Sequence, residues 1–333
     1  MIADKRVRSV VVPFGCVFCF AIGVTSASAL AQEKMYFTSI GVIHRADLDG
    51  SNLETIYSQP STAPWAPVLD LEARMIYWSD PATLEIRRST LLGQNVEVLV
   101  TGIRSWGLSL DPANGVMYWN SDVEYSFAPG VYRSAMDGSN PELVFSMPGL
   151  GFRADALDTI NGKIYWTADV AGGYSIWRAD IDGTNTQELV EVLNGHDAMA
   201  LALDVRDNRM YWSERDGFTG LTGGSISRSR LDGSQMEVVF APEKAVGLAL
   251  DLPRGHIYWT SNDGSIRRAN LDGSAIVVMD LGIQEPRSIA IDTRPAVKVP
   301  AASAWGLVAL SLAIASAGTV LLRRQRRRAC HAT

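Results

Sequence analysis

The chain contains very few cysteines, and none of them lies in its central part. Cys16, Cys19 and Cys330 are the three present, so residues 20–329 contain none. This excludes a disulfide framework, a thiol nucleophile and a cysteine metal centre in that region. A domain there must be held together by its hydrophobic core alone.

Histidine and basic residues are also scarce. The chain has four histidines, and His44, His196 and His256 are too far apart in sequence to show a metal-ligand spacing. Residues 33–300 contain 35 acidic and 22 basic residues, a net charge near −13. Because nucleic-acid binding needs a basic surface, this composition excludes a nucleic-acid partner. We predict no catalytic residue, no metal and no cofactor.

Long apolar runs occur only at the two ends of the chain. Residues 1–31 have a basic start, an apolar centre and a small-residue cleavage site, as in a secretory signal peptide. Residues 305–322 would form an apolar helix about 27 Å long, close to the thickness of a bilayer core. We predict an exported chain with a linker at 296–304, a transmembrane or sorting helix at 305–322 and a basic cytoplasmic tail at 323–333.

A pair of adjacent aromatic residues returns six times between the two ends. The tyrosines of successive pairs are 41, 41, 47, 46 and 47 residues apart. A period in the forties with strand and turn signals is typical of the blades of a β-propeller. The six pairs are Tyr36-Phe37, Tyr77-Trp78, Tyr118-Trp119, Tyr165-Trp166, Tyr211-Trp212 and Tyr258-Trp259.

Each aromatic pair belongs to a sequence repeat that contains four predicted strands. An apolar strand ending in Asp comes first, the aromatic strand second and an apolar-x-Arg strand third, and a turn, usually Asp-Gly, leads into a Val/Leu-rich fourth strand. Successive strand residues point to opposite faces, so two adjacent aromatics need two buried faces. A blade packed between two neighbouring blades provides both. We interpret the repeated Asp and Arg as structural.

The two ends of the repeat complete each other. The first copy lacks the Asp-ending strand, whereas the last such strand, residues 288–292, has no aromatic pair after it. Joining them completes a sixth blade from one C-terminal and three N-terminal strands, which removes the open edges. The fold class is therefore predicted to be an all-β six-bladed propeller of four-stranded blades, spanning residues 32–295.

The repeated phrase resembles the class B, or YWTD, repeat of the low-density lipoprotein receptor family over about residues 35–292. Ser79-Asp80 best matches the last two motif positions, and the cysteine-rich modules of the animal receptors are absent. Trp305-Gly306 and the arginine cluster of the tail resemble bacterial PEP-CTERM-type sorting signals of the Trp-Gly variant. That resemblance implies a membrane enzyme that processes the tail; a plain single-span anchor is the alternative.

One position per blade departs from the repeat and marks a candidate site. Counting five residues back from each strand-ending Asp reaches the mouth of the central channel. Asp155, His196 and Asp197 are expected near this mouth. Together with the six residues given below, they could bind an extended peptide or a sugar. Alternatively, the two tryptophans plug the channel or pack between blades. The six residues are Trp65, Trp106, Arg153, Met199, Val246 and Arg287.

The receptor resemblance implies recognition of a protein or peptide ligand on the open face, without chemistry. A glycan ligand is also compatible with the aromatic mouth. Two other functions remain open: a lactonase-like hydrolase with a central divalent cation, and a structural protein of the cell surface. Carboxylate, Asn or His ligands converging on the channel would favour the hydrolase.

Overall fold

The computed structural model describes residues 33–121, 128–146, 151–170, 173–192, 196–216 and 224–294. Apart from a short 3-10 turn at Leu252–Arg254, the regular elements within these ranges are all strands. In chain order the strands of the first half are β1 (Lys34–Ser39), β2 (Val42–Asp47), β3 (Glu54–Ser58), β4 (Trp65–Asp70), β5 (Met75–Asp80), β6 (Glu85–Thr90), β7 (Glu97–Thr101), β8 (Leu108–Asp111), β9 (Val116–Ser121), β10 (Gly130–Ala135), β11 (Glu142–Ser146) and β12 (Gly151–Asp158).

The second half of the described chain continues with strands of similar length. They are β13 (Lys163–Val170), β14 (Gly173–Asp180), β15 (Gln187–Val192), β16 (His196–Asp204), β17 (Arg209–Asp216), β18 (Gly224–Arg230), β19 (Glu237–Glu243), β20 (Ala245–Asp251), β21 (His256–Ser261), β22 (Ser265–Asn270), β23 (Val277–Asp280) and β24 (Ile289–Ile291).

These strands form six antiparallel four-stranded sheets, the blades of a six-bladed propeller. Five blades use consecutive strands, from β4–β7 to β20–β23, and the remaining blade has the order β24-β1-β2-β3. In that blade Met35 pairs with Ile291 and Phe37 with Ile289. The predicted fold class and its closure by one C-terminal and three N-terminal strands are confirmed.

The aromatic pairs lie on the second strand of each blade and form the contacts between blades. Each of these rings is at most 4% exposed. The tyrosine of one blade shares a hydrophobic cluster with the tryptophan or phenylalanine of the next, as Tyr165 does with Trp212 and Tyr258 with Phe37. One ring therefore faces each neighbour, as the sequence predicts. Burying a large apolar side chain contributes about 1.5–3 kcal/mol.

The repeated aspartates stabilise the turn after the first strand of each blade. Asp158 Oδ1 accepts hydrogen bonds from the backbone N–H groups of Ile160 and Asn161, at 3.1 and 2.9 Å. Asp251 differs, because it binds the guanidinium of Arg254, with a shortest distance of 2.8 Å. These carboxylates are structural. Backbone N–H groups bind the equivalent carboxylates of Asp70, Asp111, Asp204 and Asp292.

The repeated arginines tie neighbouring blades together. Arg228 donates to the carbonyl of Leu271 in the next blade at 2.7 Å and to Glu237 of its own blade at 2.7 Å. Arg178 reaches the carbonyl of Leu231 at 3.0 Å in the same manner. The structural interpretation of these arginines is therefore supported. Arg45 and Arg88 likewise reach the carbonyls of Leu91 and Met136.

The predicted signal peptide, the transmembrane or sorting helix and the basic tail lie outside the described residues, and so does the linker. No helix formed by the described part of the chain has the length and hydrophobicity to cross a bilayer.

Candidate functional site

The six residues at the predicted mouth line one open cavity of about 480 Å³. We call them the cavity ring. The structure thus brings together six positions, one from each blade, and each is 41 to 47 residues from the next in sequence. The ring residues are Trp65, Trp106, Arg153, Met199, Val246 and Arg287, and the cavity is also lined by Arg215, Asn262, Glu285 and Pro286.

Buried polar side chains hold the backbone of the cavity ring. The residue after each aromatic pair is always Ser, Thr or Asn and is fully buried. The hydroxyl of Ser213 donates to the carbonyl of Val246 at 3.1 Å, and the Thr260 hydroxyl donates to the carbonyl of Arg287. This third motif position varies between Ser, Thr and Asn, so it retains hydrogen-bonding capacity in every blade. The set is Thr38, Ser79, Asn120, Thr167, Ser213 and Thr260.

Four of the six residues of the cavity ring form a continuous array of cations and aromatic rings. The guanidinium of Arg287 lies 5.5 Å from the ring centre of Trp65, and that of Arg153 lies 5.4 Å from Trp106. The two tryptophan rings contact each other edge to face at 5.3 Å. These separations suit cation–π and aromatic pairing. We call these four residues the Arg-Trp array; the other two residues of the ring, Met199 and Val246, are apolar.

The cavity carries positive charge although the domain is acidic. Arg153, Arg215 and Arg287 all line it, and Glu285 supplies the one carboxylate among the described lining residues. Arg215 donates to Asp197 at 2.9 Å, so part of its charge is balanced. A concave opening lined by several cations concentrates anions from solution.

Arg287 is the least satisfied of the cavity cations. Its side chain is 23% exposed, and burial lowers its pKa below the ordinary arginine value, although Glu285 opposes that shift. The carboxylate of Glu285 is 4.0 Å away on a side chain that is 69% exposed, and such exposed pairs contribute little. Among the described residues, its guanidinium donates no hydrogen bond. It is a partly desolvated cation that faces the cavity.

Asp155 lies deeper than the cavity ring. It borders a second cavity of about 140 Å³, farther along the channel, whose wall also includes Trp65 and Trp106. Ser109 Oγ donates to one of its carboxylate oxygens and Asn120 Nδ2 donates to the other at 3.3 Å. Burial raises the pKa of Asp155 to about 7, although these two hydrogen bonds lower it.

Asp155 positions a tryptophan of the cavity ring. Asn120 donates to Asp155 through its amide nitrogen and accepts from the backbone N–H of Trp106 at 3.0 Å through its amide oxygen. The carboxylate thereby fixes the orientation of the Asn120 amide. Gly107 makes room for this arrangement, because a Cβ there would lie 1.7 Å from Asp155 Oδ1.

The other two predicted site residues lie at the start of β16. Asp197 pairs with Arg215 across the β16–β17 ladder, so it acts on the cavity through that arginine. His196 begins β16, and its side chain lies outside the described part of the structure.

Sequence reasoning missed several residues around the cavity. Arg215, Asn262 and Glu285 line it, and the guanidinium of Arg104 lies 5.4 Å from the ring centre of Trp106. Counting five residues back from each strand-ending Asp identifies one residue per blade. It cannot identify cavity residues on the connecting segments, such as Asn262 and Glu285. A signal was available for Arg215, since it lies on the aromatic strand β17 itself, three residues after Trp212 and close to the end of that strand.

The cavity is poorly suited to a divalent cation. The described residues contain no group of three or more His, Cys, Asp or Glu placed to hold a metal ion. The oxygen-bearing side chains at the cavity are Asn262 and Glu285, and three guanidinium groups lie beside them. Like charges oppose cation binding.

No protein-family model matches the chain. Over 181 residues it is 29% identical to low-density lipoprotein receptor-related protein 5 of Mus musculus, covering 52% of this chain and 11% of that protein. It is 27% identical over 140 residues to low-density lipoprotein receptor-related protein 5-like protein of Homo sapiens, covering 40% and 54%. Protein cueball of Drosophila sechellia is 28% identical over 147 residues, covering 42% and 22%. The matches thus span only about a tenth to a half of these relatives.

Solved structures share the fold at low sequence identity. A nidogen/laminin complex matches with a TM-score of 0.68 and 18% identity over 79% of this chain and all of that chain. TolB of Acinetobacter baumannii matches with a TM-score of 0.63 and 14% identity, covering 78% and 66%. A GH74 enzyme of Niastella koreensis has a TM-score of 0.56 and 14% identity, covering 74% and 43%. The sequence relatives thus include two receptor-related proteins, and the solved structures share the propeller fold.

Proposed function

We propose that this protein is an exported, non-catalytic propeller that binds a segment of another protein in the cavity ring. The observation that carries this proposal is the Arg-Trp array. Four blades contribute Arg, Trp, Trp and Arg at one equivalent position, and their rings and guanidiniums meet at the mouth of a cavity. Trp and Arg are the residues most enriched in binding hot spots.

The size of the cavity supports a peptide-like ligand. Its volume of about 480 Å³ lies within the range of about 300–1,000 Å³ that is usual for ligand pockets. Such a space accommodates a few side chains, so a protruding loop or an extended segment of a partner would fit. The buried Ser, Thr and Asn residues hold the ring in place before binding, which lowers the entropic cost of association.

The comparisons support a protein partner. Relatives include a receptor-related protein, and one structure with this fold is described as a complex of nidogen with laminin. The cavity chemistry supports a non-catalytic role, because three guanidiniums replace the convergent oxygen ligands that a central divalent cation requires. A glycan partner and a purely structural role at the cell surface are the competing functions.

The proposed function also includes export of the propeller and its attachment to the membrane or the cell surface. The apolar segments at 1–31 and 305–322 would place the propeller outside the cytoplasm, held at the membrane or passed to the cell surface by a sorting enzyme. Mass analysis of the C-terminus of the protein purified from its native cells tests this part. Loss of residues after 305 would support sorting, whereas an intact tail would support a plain anchor.

Capture of a partner by the full-length chain tests the function. We expect immobilised wild-type protein to retain a specific protein from cell-surface extracts, and a Trp65→Ala, Trp106→Ala double variant to retain at least tenfold less. Truncation of a hot-spot residue costs about 2 kcal/mol or more. Ile160→Ala is the matched control, since Ile160 is 74% exposed in a turn at the far end of its blade. Equal retention by all three proteins would contradict the proposed site.

A further inference from the structure

We infer that the cavity selects a carboxylate group on the protein partner, an aspartate or glutamate side chain that Arg287 of the cavity ring and the lining residue Arg215 would bind. This inference rests on the proposed function and names the chemistry of the ligand. An apolar neighbour of that acidic residue would pack on Met199 and Val246, the two apolar residues of the ring.

The first argument for a carboxylate ligand is the positive charge of the cavity. Residues 33–300 have a net charge near −13, so an acidic partner would be repelled by most of the domain. The lining of the cavity has the opposite balance, with three guanidiniums and the single exposed carboxylate of Glu285 among its described residues. A negatively charged side chain would therefore be directed to this opening.

The second argument is that the guanidinium of Arg287 has unsatisfied hydrogen-bond donors. A guanidinium has five N–H donors, and leaving them without partners in a partly desolvated position costs free energy. Arg287 lies in this condition at the cavity, with Trp65 stacked on it and only an exposed Glu285 carboxylate at 4.0 Å. A planar carboxylate would satisfy two of these donors at once, a geometry that arginine favours.

The stacking in the Arg-Trp array carries the third step. Trp65 limits the orientations open to Arg287, and the Thr260 hydroxyl holds the Arg287 backbone carbonyl. A guanidinium held in this way loses less freedom on binding than a mobile surface lysine would. Arg215 is similarly restrained by its 2.9 Å contact with Asp197.

A set of defined peptides tests the inference on the full-length chain. The probes are fluorescent pentapeptide mixtures with uncharged residues at the outer positions and one fixed central residue: Glu, Asp, Gln, Asn or Lys. We expect the Glu and Asp mixtures to bind about tenfold more tightly than the Gln and Asn mixtures, because charge-assisted hydrogen bonds are roughly twice as strong as neutral ones. Polygalacturonate serves as a carboxylate-bearing glycan probe.

Arg287→Gln should reduce the preference for Glu over Gln mixtures to less than threefold. Arg206 is an exposed arginine in the turn after β16, so Arg206→Gln serves as the control and should keep the tenfold preference. Equal binding of Glu and Gln mixtures, a preference for Lys, or an unchanged preference in Arg287→Gln would overturn the inference. Tighter binding of polygalacturonate than of every peptide mixture would also overturn it. If a captured partner depends on Trp65 and Trp106 while the Glu preference is absent, the inference fails and the proposed function stands.

Discussion

Replacing Asp155 with asparagine should make the protein more stable at alkaline pH. Burial raises the pKa of Asp155 in the folded state to about 7, from an ordinary value of 3.8. The folded protein therefore holds a proton at this carboxyl that the unfolded chain releases above about pH 4. The free energy of unfolding of the wild type should fall as the pH rises from about 4 to 7.

The size of this effect follows from the displacement of the pKa. A difference of about three pH units corresponds to about 4 kcal/mol at pH 8, which is an upper bound, since Asp155 borders a channel cavity. Asparagine has no such titration and keeps the two hydrogen bonds. The Ser109 hydroxyl can rotate to accept from the new amide, whose oxygen accepts from Asn120.

Urea unfolding of the wild type and Asp155→Asn at pH 5 and pH 8 measures this prediction. We expect the stability advantage of the variant over the wild type to grow by about 2–3 kcal/mol between pH 5 and pH 8. Burial lowers the pKa values of His44 and His256, but these groups titrate in both proteins and cancel in the difference. A variant that is less stable than the wild type at pH 8 would refute the assignment of Asp155 as a buried, costly carboxylate.

Three further substitutions test the packing that positions the cavity. Trp212→Ala should lower the free energy of unfolding by about 3–5 kcal/mol in denaturant titrations, because its ring is fully buried between blades, and a loss below 1 kcal/mol would contradict that role. Gly107→Ala should destabilise by about 1–3 kcal/mol through a clash with Asp155, whereas Gly151→Ala, whose nearest neighbour would be 3.4 Å away, should not. Thr260→Val should weaken both stability and partner binding, and Thr260→Ser should restore them; equal effects of the two would argue against the hydroxyl.

Much of the fold could be predicted because it follows from local rules repeated six times. Adjacent aromatics such as Tyr165 and Trp166 require two buried faces, and the blade interfaces provide them. The cavity ring could be located for a related reason: each blade places its strand-ending Asp, such as Asp158 or Asp204, at an equivalent point, so residues at one sequence distance before it reach a similar depth in the channel.

The depth of Asp155 could not be predicted as easily. It follows Arg153 by two residues, so it was expected beside it at the mouth, yet a strand advances about 3.3 Å per residue and carries it about 7 Å farther into the channel. The ladder also shifts register between Phe152 and Asp155. Arg215 and Glu285 were missed because contacts between separate blades are not encoded in the repeat.

The affinity of the captured partner for full-length variants tests the central claim most directly. We expect Arg153→Ala together with Arg287→Ala to weaken partner binding at least tenfold while the thermal midpoint stays within a few degrees of the wild type. The two guanidiniums flank the cavity and contact tryptophans that are themselves half-buried, so their loss should cost little stability. An unchanged dissociation constant in this double variant would contradict recognition through the cavity ring.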